Sequence, residues 1–261
     1  MKQSPKSSIS ILSCGWLGES LAEDMVEKGF QVKGATTSQD KQSRLSQKGI
    51  EAFLIRFEEL NANMVEFLKS EILVLNLTIK DIDLYKQFLP LLEESPVKKL
   101  ILISSTGVYK ISEYPIDESS ELSESPWVTI ENLMKDNLNY QTTILRFSGL
   151  FGGNRQPGNF LSGKTVKNAD SPVNLIHRDD CIRIIGEIIK QDVWEECFNC
   201  TADTHPTKKE FYTKAAEVIN VPIPIFEEDE KTEAPIKHIT NEKLKRRLNY
   251  EFIHPDLMKA L

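Results

Sequence analysis

The sequence predicts an α/β protein built on a doubly wound parallel sheet. Up to about residue 150, short β-branched runs alternate with longer amphipathic stretches, which is the pattern of parallel strands covered by helices. The run ILVLNL, residues 72–77, is apolar at both alternating positions, as expected of a central strand that is buried on both faces. With 261 residues, 40% of them hydrophobic, the chain can bury a substantial core.

The predicted elements follow from these patterns in chain order. Strands are expected at residues 8–13, 30–35, 51–56, 72–77, 99–105 and 142–147, and a later one at 196–200. Helices are expected at 17–28, 40–48, 61–69, 80–93 and 128–138, and further ones at about 207–219 and 240–248. The segment VNLIHRDDCIRIIGEIIK predicts a short strand or turn followed by a helix that Asp179 or Asp180 caps.

A glycine-containing turn follows the first predicted strand. The stretch ISILSCGWLGESL places Gly15 and Gly18 at the second and third glycine positions of G-x-G-x-x-G, with Ser13 at the first. In that motif the second glycine lets the backbone approach a pyrophosphate, and the third lets helix and strand pack closely. At the first strand-to-helix turn of such a sheet, the motif predicts a Rossmann fold with a dinucleotide site. The alternative is a close-packing turn without a ligand.

The second predicted strand lacks the acidic residue that favours NAD. The stretch QVKGA runs instead into Thr36, Thr37 and Ser38, and Lys41 and Arg44 follow. Hydroxyls with a cation one helical turn away suit a 2′-phosphate, so we predict NADP(H) in preference to NAD(H). Solvated surface cations are the alternative. The predicted cofactor contacts are Ser13, Gly15, Trp16, Leu17, Gly18, Thr36, Thr37, Ser38, Lys41 and Asn76.

The amino-acid composition of the chain changes after Arg146. The 25 residues SGLFGGNRQPGNFLSGKTVKNADSP hold five glycines and two prolines, a composition suited to a loop that shapes a ligand cleft. We therefore predict a dinucleotide-binding domain over residues 1–155, to which 173–203 returns. Residues 156–172 and 204–261 are predicted to form a small substrate lobe.

Composition and charge exclude several classes of function. The net charge of −7 and the scattered basic residues predict no nucleic-acid partner, and the absence of a long apolar run predicts a cytoplasmic protein without membrane contact. The C-x-x-C of Cys197 and Cys200 has no second ligand pair nearby, so we predict no metal site. The acidic stretch FEEDEKTE, residues 226–233, is expected to be a solvated loop.

Five stretches together resemble the extended short-chain dehydrogenase/reductase family, the NAD-dependent epimerase/dehydratase group. They are CGWLG, ILISSTGVY, TTILRFSGLFGGNR, VNLIHRDDCIRII and CFNCTADTHPTKKEFYTKAAEVINVP, and they occur in the family's order over nearly the whole chain. The resemblance implies an NAD(P)-dependent oxidoreductase or a nucleotide-sugar epimerase or dehydratase. It also implies that the fifth strand ends where a nicotinamide ring would sit.

The resemblance implies a catalytic hydroxyl at Ser105, four residues before Tyr109. The family's central pair, Tyr-x-x-x-Lys, is missing: the residues four positions after the six tyrosines are Leu89, Glu113, Glu118, Ile144, Ala216 and His254. A tyrosine needs a nearby cation to become a useful base at neutral pH. If Glu131 is the family's glutamate, Ser123 and Trp127 stand at the pair's positions. This departure is similar to atypical members of the family.

The remaining candidates each have a structural alternative. Tyr109 is a candidate acid or a packing residue beside the cofactor. Arg155, in the glycine-rich loop, would clamp a carboxylate or phosphate of a small-molecule substrate, or it is a surface arginine. His177 would bind substrate, or it caps the helix that follows. Two functions stay open: an atypical NAD(P)-dependent enzyme, or a dinucleotide-binding sensor or partner-binding protein without turnover. The oligomeric state also stays open, because the apolar residues of the helix at 128–138 suit a core face equally well.

Overall fold

The computed structural model describes residues 6–227 and 237–261, and it confirms the predicted α/β architecture. The strands in chain order are β1 (Lys6–Leu12), β2 (Phe30–Thr36), β3 (Glu51–Leu54), β4 (Ile72–Leu75), β5 (Lys99–Ser105), β6 (Gln141–Phe147), β7 (Gly149–Phe151), β8 (Thr165–Val166), β9 (Leu175–His177), β10 (Cys197–Cys200) and β11 (Ile225–Phe226). The helices are α1 (Trp16–Glu27), α2 (Gln39–Gln47), α3 (Ala62–Phe67), α4 (Ile82–Glu93), α5 (Pro126–Lys135), α6 (Arg178–Gln191), α7 (Lys208–Val218) and α8 (Glu242–Leu248).

A seven-stranded parallel sheet organises the fold in the order β10-β6-β5-β4-β1-β2-β3. The strand β1 pairs with β2 on one side and with β4 on the other, so the winding direction of the sheet reverses at β1. In doubly wound sheets the loops at such a reversal diverge and leave a crevice at the carboxyl ends of the strands. The topology therefore predicts a ligand site at the carboxyl ends of β1 and β4.

Burial explains why β4 lies in the middle of the sheet. All four of its residues are buried, as the doubly apolar run in the sequence predicts. Phe67, Tyr85 and Phe88 belong to the same hydrophobic cluster and are fully excluded from solvent. Burying one side chain of this size stabilises the fold by about 1.5–3 kcal/mol. The covered sheet is thus a rigid support for the loops at its carboxyl edge.

The chain divides into two compact units. The first takes Met1–Ser104, Glu124–Leu145 and Ile185–Cys197, and the second takes Ser105–Ser123, Arg146–Ile184 and Phe198–Leu261. The second unit has its own hydrophobic cluster, formed by Phe151, Val173, Leu175, Ala202, Phe211 and Leu257. Both predicted lobe segments, 156–172 and 204–261, lie in the second unit, but so do 105–123 and 146–155. The predicted substrate lobe stays a prediction.

One local prediction, the N-cap of α6, is corrected. The helix α6 begins at Arg178, so Asp179 and Asp180 lie inside its first turn and neither is its N-cap. The acidic stretch begins within β11, at Phe226, and its residues from 228 onward lie outside the described part of the chain. Among the described residues, no helix is both long and apolar enough to cross a bilayer.

Candidate functional site

The chain turns sharply between β1 and α1. Ser13 follows β1 with a φ of 80°, and Gly15 is the N-cap of α1. A left-handed φ is strained for serine and natural for glycine, and such strain concentrates at functional turns. The backbone N–H of Cys14 donates to the carbonyl of Ala35 at 2.7 Å, which fixes the turn against β2. The serine at the motif's first position thus adopts the conformation that the motif assigns to glycine.

Gly18 lies against the carbonyl of Ser13. A Cβ at this position would come 2.2 Å from that oxygen and 3.0 Å from Nδ2 of Asn76. The Asn76 amide donates to the same oxygen at 3.1 Å. Gly18 therefore provides the close helix-to-strand contact that the third glycine of the motif requires, and Asn76 holds the turn in place.

A cavity of about 290 Å³ opens beside this turn. We call it the glycine-turn cavity. It lies at the carboxyl ends of β1, β2 and β4, and its lining residues are Leu12, Ser13, Cys14, Gly15, Ala35, Thr36, Thr37, Ser38, Lys41, Ile55, Phe57, Glu58, Leu77, Thr78 and Ile79. Its position is the one that the reversal of the sheet predicts for a ligand.

Six of the predicted cofactor contacts line the cavity: Ser13, Gly15, Thr36, Thr37, Ser38 and Lys41. Trp16, Leu17, Gly18 and Asn76 do not, and their contact with a cofactor stays a prediction. The lining residues that follow β3 and β4 were not predicted from the sequence. They are Ile55, Phe57, Glu58, Leu77, Thr78 and Ile79. The only signal for them was their place at the ends of predicted strands or directly after them.

The start of α1 and the turn before it suit an anionic group. The first N–H groups of a helix have no acceptor within the helix, and they carry the positive end of its dipole. A Cβ on Gly15 would meet only the Oγ of Ser13, at 3.8 Å, so the space over this residue is open. These features fit the pyrophosphate of a dinucleotide.

The hydroxyls after β2 are partly used by the backbone. Thr36 Oγ1 accepts from the N–H of Ser38 at 3.2 Å, and Ser38 Oγ caps α2 by accepting from the N–H of Lys41 at 3.4 Å. Thr37 is exposed. These bonds use the acceptor lone pairs and leave the O–H donors available to a ligand.

Lys41 is held over the glycine turn. Its ammonium donates to the carbonyl of Cys14 at 3.2 Å and lies 3.6 Å from Glu19. Partial burial acts to raise the pKa of Glu19, but the hydrogen bond from Lys48 and the charges of Lys48, Lys41 and Arg44 hold that pKa below its ordinary value. Three cations thus surround one carboxylate, and Lys41 is the one of the three that lines the cavity.

At the end of β5, two consecutive serines have different environments. Ser104 is buried and its hydroxyl donates to Glu131 on α5. Ser105 is half-buried, and its Oγ accepts from the N–H of Gly107 at 3.0 Å. Its O–H can donate to a substrate oxygen. Its catalytic role stays a prediction.

Tyr109 is enclosed in a polar network of the second unit. Its side chain is 3% exposed, and its hydroxyl donates to Oδ1 of Asn199 at 2.7 Å and accepts from Nη1 of Arg146 at 2.7 Å. The Arg146 guanidinium also lies 4.9 Å from the centre of the Tyr109 ring. The Tyr109 hydroxyl is thus engaged on both sides, and its role as a candidate acid stays a prediction.

Ser123 and Trp127, which would stand at the family's Tyr-Lys positions if Glu131 is its glutamate, make structural contacts. Ser123 precedes α5, and its Oγ donates to the carbonyl of Val108 at 2.9 Å. Trp127 lies in the first turn of α5 and packs against the hydrophobic cluster of the first unit. Neither residue resembles an acid/base group.

The two predicted substrate contacts lie in the second unit. The guanidinium of Arg155 lies 5.7 Å from the ring centre of Phe160, and the backbones of Arg155 and Gly152 are hydrogen bonded to each other. His177 Nδ1 accepts from the N–H of Asp179 at 3.2 Å, as a capping residue does, and its pKa is lowered by burial and by the neighbouring His254. Substrate binding by either residue stays a prediction.

Known proteins share the fold of this chain. No family model matches it. It is 28% identical over 265 residues to Protein YeeZ of Escherichia coli K12, and the match covers 95% of this chain and 96% of that protein. A putative NAD-dependent epimerase/dehydratase from Methylobacillus flagellatus superimposes with a TM-score of 0.74 and 22% identity, over 97% of this chain and 96% of that one.

A second solved structure is a UDP-glucuronic acid 4-epimerase variant from Bacillus cereus, in complex with NAD and a fluorinated UDP-glucuronic acid. Its TM-score is 0.78 at 15% identity, over 97% of this chain and 96% of that one. These similarities extend over nearly the whole of each chain. The chain therefore has a Rossmann-like α/β fold, as the sequence motifs predict.

Proposed function

We propose that this chain binds a nicotinamide dinucleotide in the glycine-turn cavity and acts as an oxidoreductase or epimerase-like enzyme. Its substrate would be a small polar molecule of the nucleotide-sugar class. The observation that carries the proposal is the cavity at the reversal point of the sheet, bounded by the glycine turn and the hydroxyls after β2. The NAD-bound epimerase of the same fold supports the cofactor class. The low cysteine content fits a cytoplasmic location.

Each part of the cavity has a role in this proposal. The backbone at Gly15 and the first turn of α1 would bind the pyrophosphate, and Thr36, Thr37 and Ser38 would bind the adenosine ribose. A bound nicotinamide would supply hydride transfer. Ser105 would polarise a substrate carbonyl or hydroxyl by donating its O–H, and Arg155 would contact the substrate.

Titration of the purified protein with NADPH and NADH tests the proposal. Binding by at least one of them is expected with a Kd in the micromolar range, about −8 kcal/mol. Trp16, in the first turn of α1, provides a fluorescence signal beside the site. If neither dinucleotide bound at millimolar concentration, the proposed function would be wrong.

Within this proposal, NADP(H) is the preferred cofactor because of Lys41. The strand β2 ends without a carboxylate that would repel a 2′-phosphate, and the Lys41 ammonium lines the cavity beside Thr36 and Ser38. A charge-assisted hydrogen bond of this kind contributes roughly 1.5–3 kcal/mol. We expect Lys41→Gln to weaken NADPH binding by about 10-fold or more and to change NADH binding by less than about 2-fold, as measured by calorimetry.

Lys48→Gln is the matched control for this prediction. Lys48 also pairs with Glu19, at 2.9 Å, but it does not line the cavity. Both variants remove one cation from Glu19, so only Lys41→Gln tests contact with the phosphate. An equal loss of NADPH affinity in the two variants, or an equal loss of NADPH and NADH affinity in Lys41→Gln, would contradict the assignment.

Ser105→Ala distinguishes an enzyme from a binding protein. Loss of one hydrogen bond to a developing charge lowers kcat by roughly 100-fold or more. We expect that loss in hydride transfer across a panel of carbonyl compounds and nucleotide sugars, with dinucleotide binding unchanged. Ser112→Ala is the control, because Ser112 Oγ also accepts from the backbone two residues later, at 3.0 Å. Undiminished activity in Ser105→Ala would remove this residue from the reaction.

The Tyr109 network supports a second candidate, a dinucleotide-binding sensor without turnover. The hydroxyl of Tyr109 is bonded to both Asn199 and Arg146, and no tyrosine in the sequence has a lysine four residues later. If dinucleotide bound and no substrate class gave hydride transfer, this candidate would replace the enzyme. Turnover that falls in Ser105→Ala and not in Ser112→Ala would exclude it.

A further inference from the structure

Three side chains with metal-ligating atoms meet in the second unit, outside the glycine-turn cavity. They are His177 at the end of β9, Asp179 in the first turn of α6, and His254 in the C-terminal segment after α8. One ligating atom from each lies within 4.8 Å of the ligating atoms of the other two. Two imidazoles and a carboxylate form a donor set that suits zinc and its neighbours in the first transition row.

The distances are close to those around a bound ion. Asp179 Oδ2 lies 3.6 Å from His177 Nδ1 and 3.7 Å from His254 Nε2, and the two imidazole rings have centres 3.9 Å apart. Ligand atoms about 2.05 Å from a tetrahedral ion lie roughly 3.3 Å from one another. The two distances from Asp179 Oδ2 are therefore about 0.3–0.4 Å longer than in such a site, and the ligating nitrogens of the two imidazoles lie within 4.8 Å of each other.

The Nδ1 lone pair of His177 faces Asp179. Its Nδ1 accepts from the N–H of Asp179 at 3.2 Å, which places the ring proton on Nε2. The Nε2 edge lies against Gly152, where a Cβ would come within 2.3 Å of that nitrogen. Phe151 packs against the same imidazole with ring centres 5.2 Å apart. The packing thus fixes the ring with Nδ1 as its ligating atom.

A buried carboxylate holds the third ligand in position. Asp180 is fully buried and accepts from the backbone N–H of Ile253 at 2.7 Å and from that of His254 at 3.0 Å. The C-terminal segment is therefore tied to the first turn of α6 at the residue that carries the second imidazole. The Asp179 side chain is 47% exposed, which gives an ion an entry path and leaves room for a water ligand.

We propose that His177, Asp179 and His254 bind one divalent transition-metal ion of the zinc class, which fastens the C-terminal segment to the start of α6. On binding, the ion would replace the Asp179 N–H as the partner of the His177 Nδ1 lone pair. That N–H contact is long, at 3.2 Å. The sequence predicts no metal site, since the C-x-x-C has no second ligand pair, and His177 and His254 stand 77 residues apart, so that no local spacing marks this cluster. The proposal is independent of cofactor binding.

Zinc titration of the untagged, chelator-treated full chain tests the proposal. We expect one ion per chain with a Kd at or below the micromolar range, and a rise in Tm of roughly 5 °C at 100-fold excess over Kd. His254→Ala and Asp179→Asn should each weaken zinc binding by about 100-fold. His238→Ala is the matched control, because His238 stacks on His205 at 4.1 Å and no third ligating side chain joins them within residues 6–227 and 237–261. The zinc affinity of this variant should be unchanged.

NMR of the imidazole protons tests the site without any substitution. The chain has four histidines, so zinc should shift the signals of two of them, and cobalt should shift the same two paramagnetically. Assignment to His177 and His254 would support the proposal. Zinc binding no tighter than millimolar, equal affinity in His254→Ala and the unmodified chain, or shifts at His205 and His238 would overturn it.

Discussion

Gly18→Ala is expected to destabilise the protein by about 3 kcal/mol, near the upper end of the cost of overpacking. The added Cβ would lie 2.2 Å from the carbonyl oxygen of Ser13, and this contact is with backbone rather than with a flexible side chain. Alanine is favoured over glycine in a helix by about 1 kcal/mol, so helix propensity alone predicts the opposite sign. The measurement is the free energy of unfolding from urea denaturation.

Gly15→Ala is the control for this prediction. Its φ of −75° is negative, and a Cβ there would meet only Ser13 Oγ at 3.8 Å. We expect its free energy of unfolding to stay within about 1 kcal/mol of the unmodified protein. Equal stability in Gly18→Ala and the unmodified protein would contradict the close contact between α1 and the end of β1.

Asp180→Ala is expected to destabilise the fold by about 3–5 kcal/mol, because it removes the acceptor of several buried donors. Its carboxylate accepts from the Tyr250 hydroxyl at 2.9 Å and from the N–H groups of Ile253 and His254. Burial and the Asp180 charge raise the pKa of Tyr250, so the phenol stays a proton donor at neutral pH. The free energy of unfolding in metal-free buffer is the measurement.

Asp83→Ala is the control for Asp180→Ala. It separates the effect of losing the buried hydrogen bonds from the effect of losing a negative charge in the first turn of a helix. Asp83 also lies in the first turn of a helix, α4, but its side chain is 78% exposed and pairs with Lys86. Its loss should cost less than about 1 kcal/mol. If the two variants lost equal stability, the tie between the C-terminal segment and α6 would not contribute to the fold.

Local patterns were sufficient to predict the sheet and its helices. The apolar run at β4 and the amphipathic stretches between strands placed most elements within two residues of their observed bounds. The helix α5 was the exception, because it ends at Lys135, three residues before the predicted end, and it also begins at Pro126 rather than at residue 128. Proline is favoured at the first position of a helix, so this signal was present in the sequence and was missed.

The candidate site was predictable only where a motif marks it. Ser13, Gly15 and the hydroxyls after β2 stand in a recognisable pattern, whereas Phe57 and Ile79 join the lining because parallel strands end at a common edge. The partners of Asp180 and His177 depend on the return of the C-terminal segment, which no local spacing encodes. Long-range packing therefore decides which polar side chains meet.

Calorimetric titration of NADPH into the unmodified protein and into Gly15→Ala tests whether a dinucleotide binds in the glycine-turn cavity. Gly15 lines this cavity, and a Cβ on it would occupy open space. We expect one site per chain with a micromolar Kd, and an affinity for NADPH that is at least about 10-fold lower in a fully folded Gly15→Ala variant. Equal NADPH affinity in the two proteins, or no binding of NADPH or NADH to the unmodified protein at millimolar concentration, would contradict binding in this cavity.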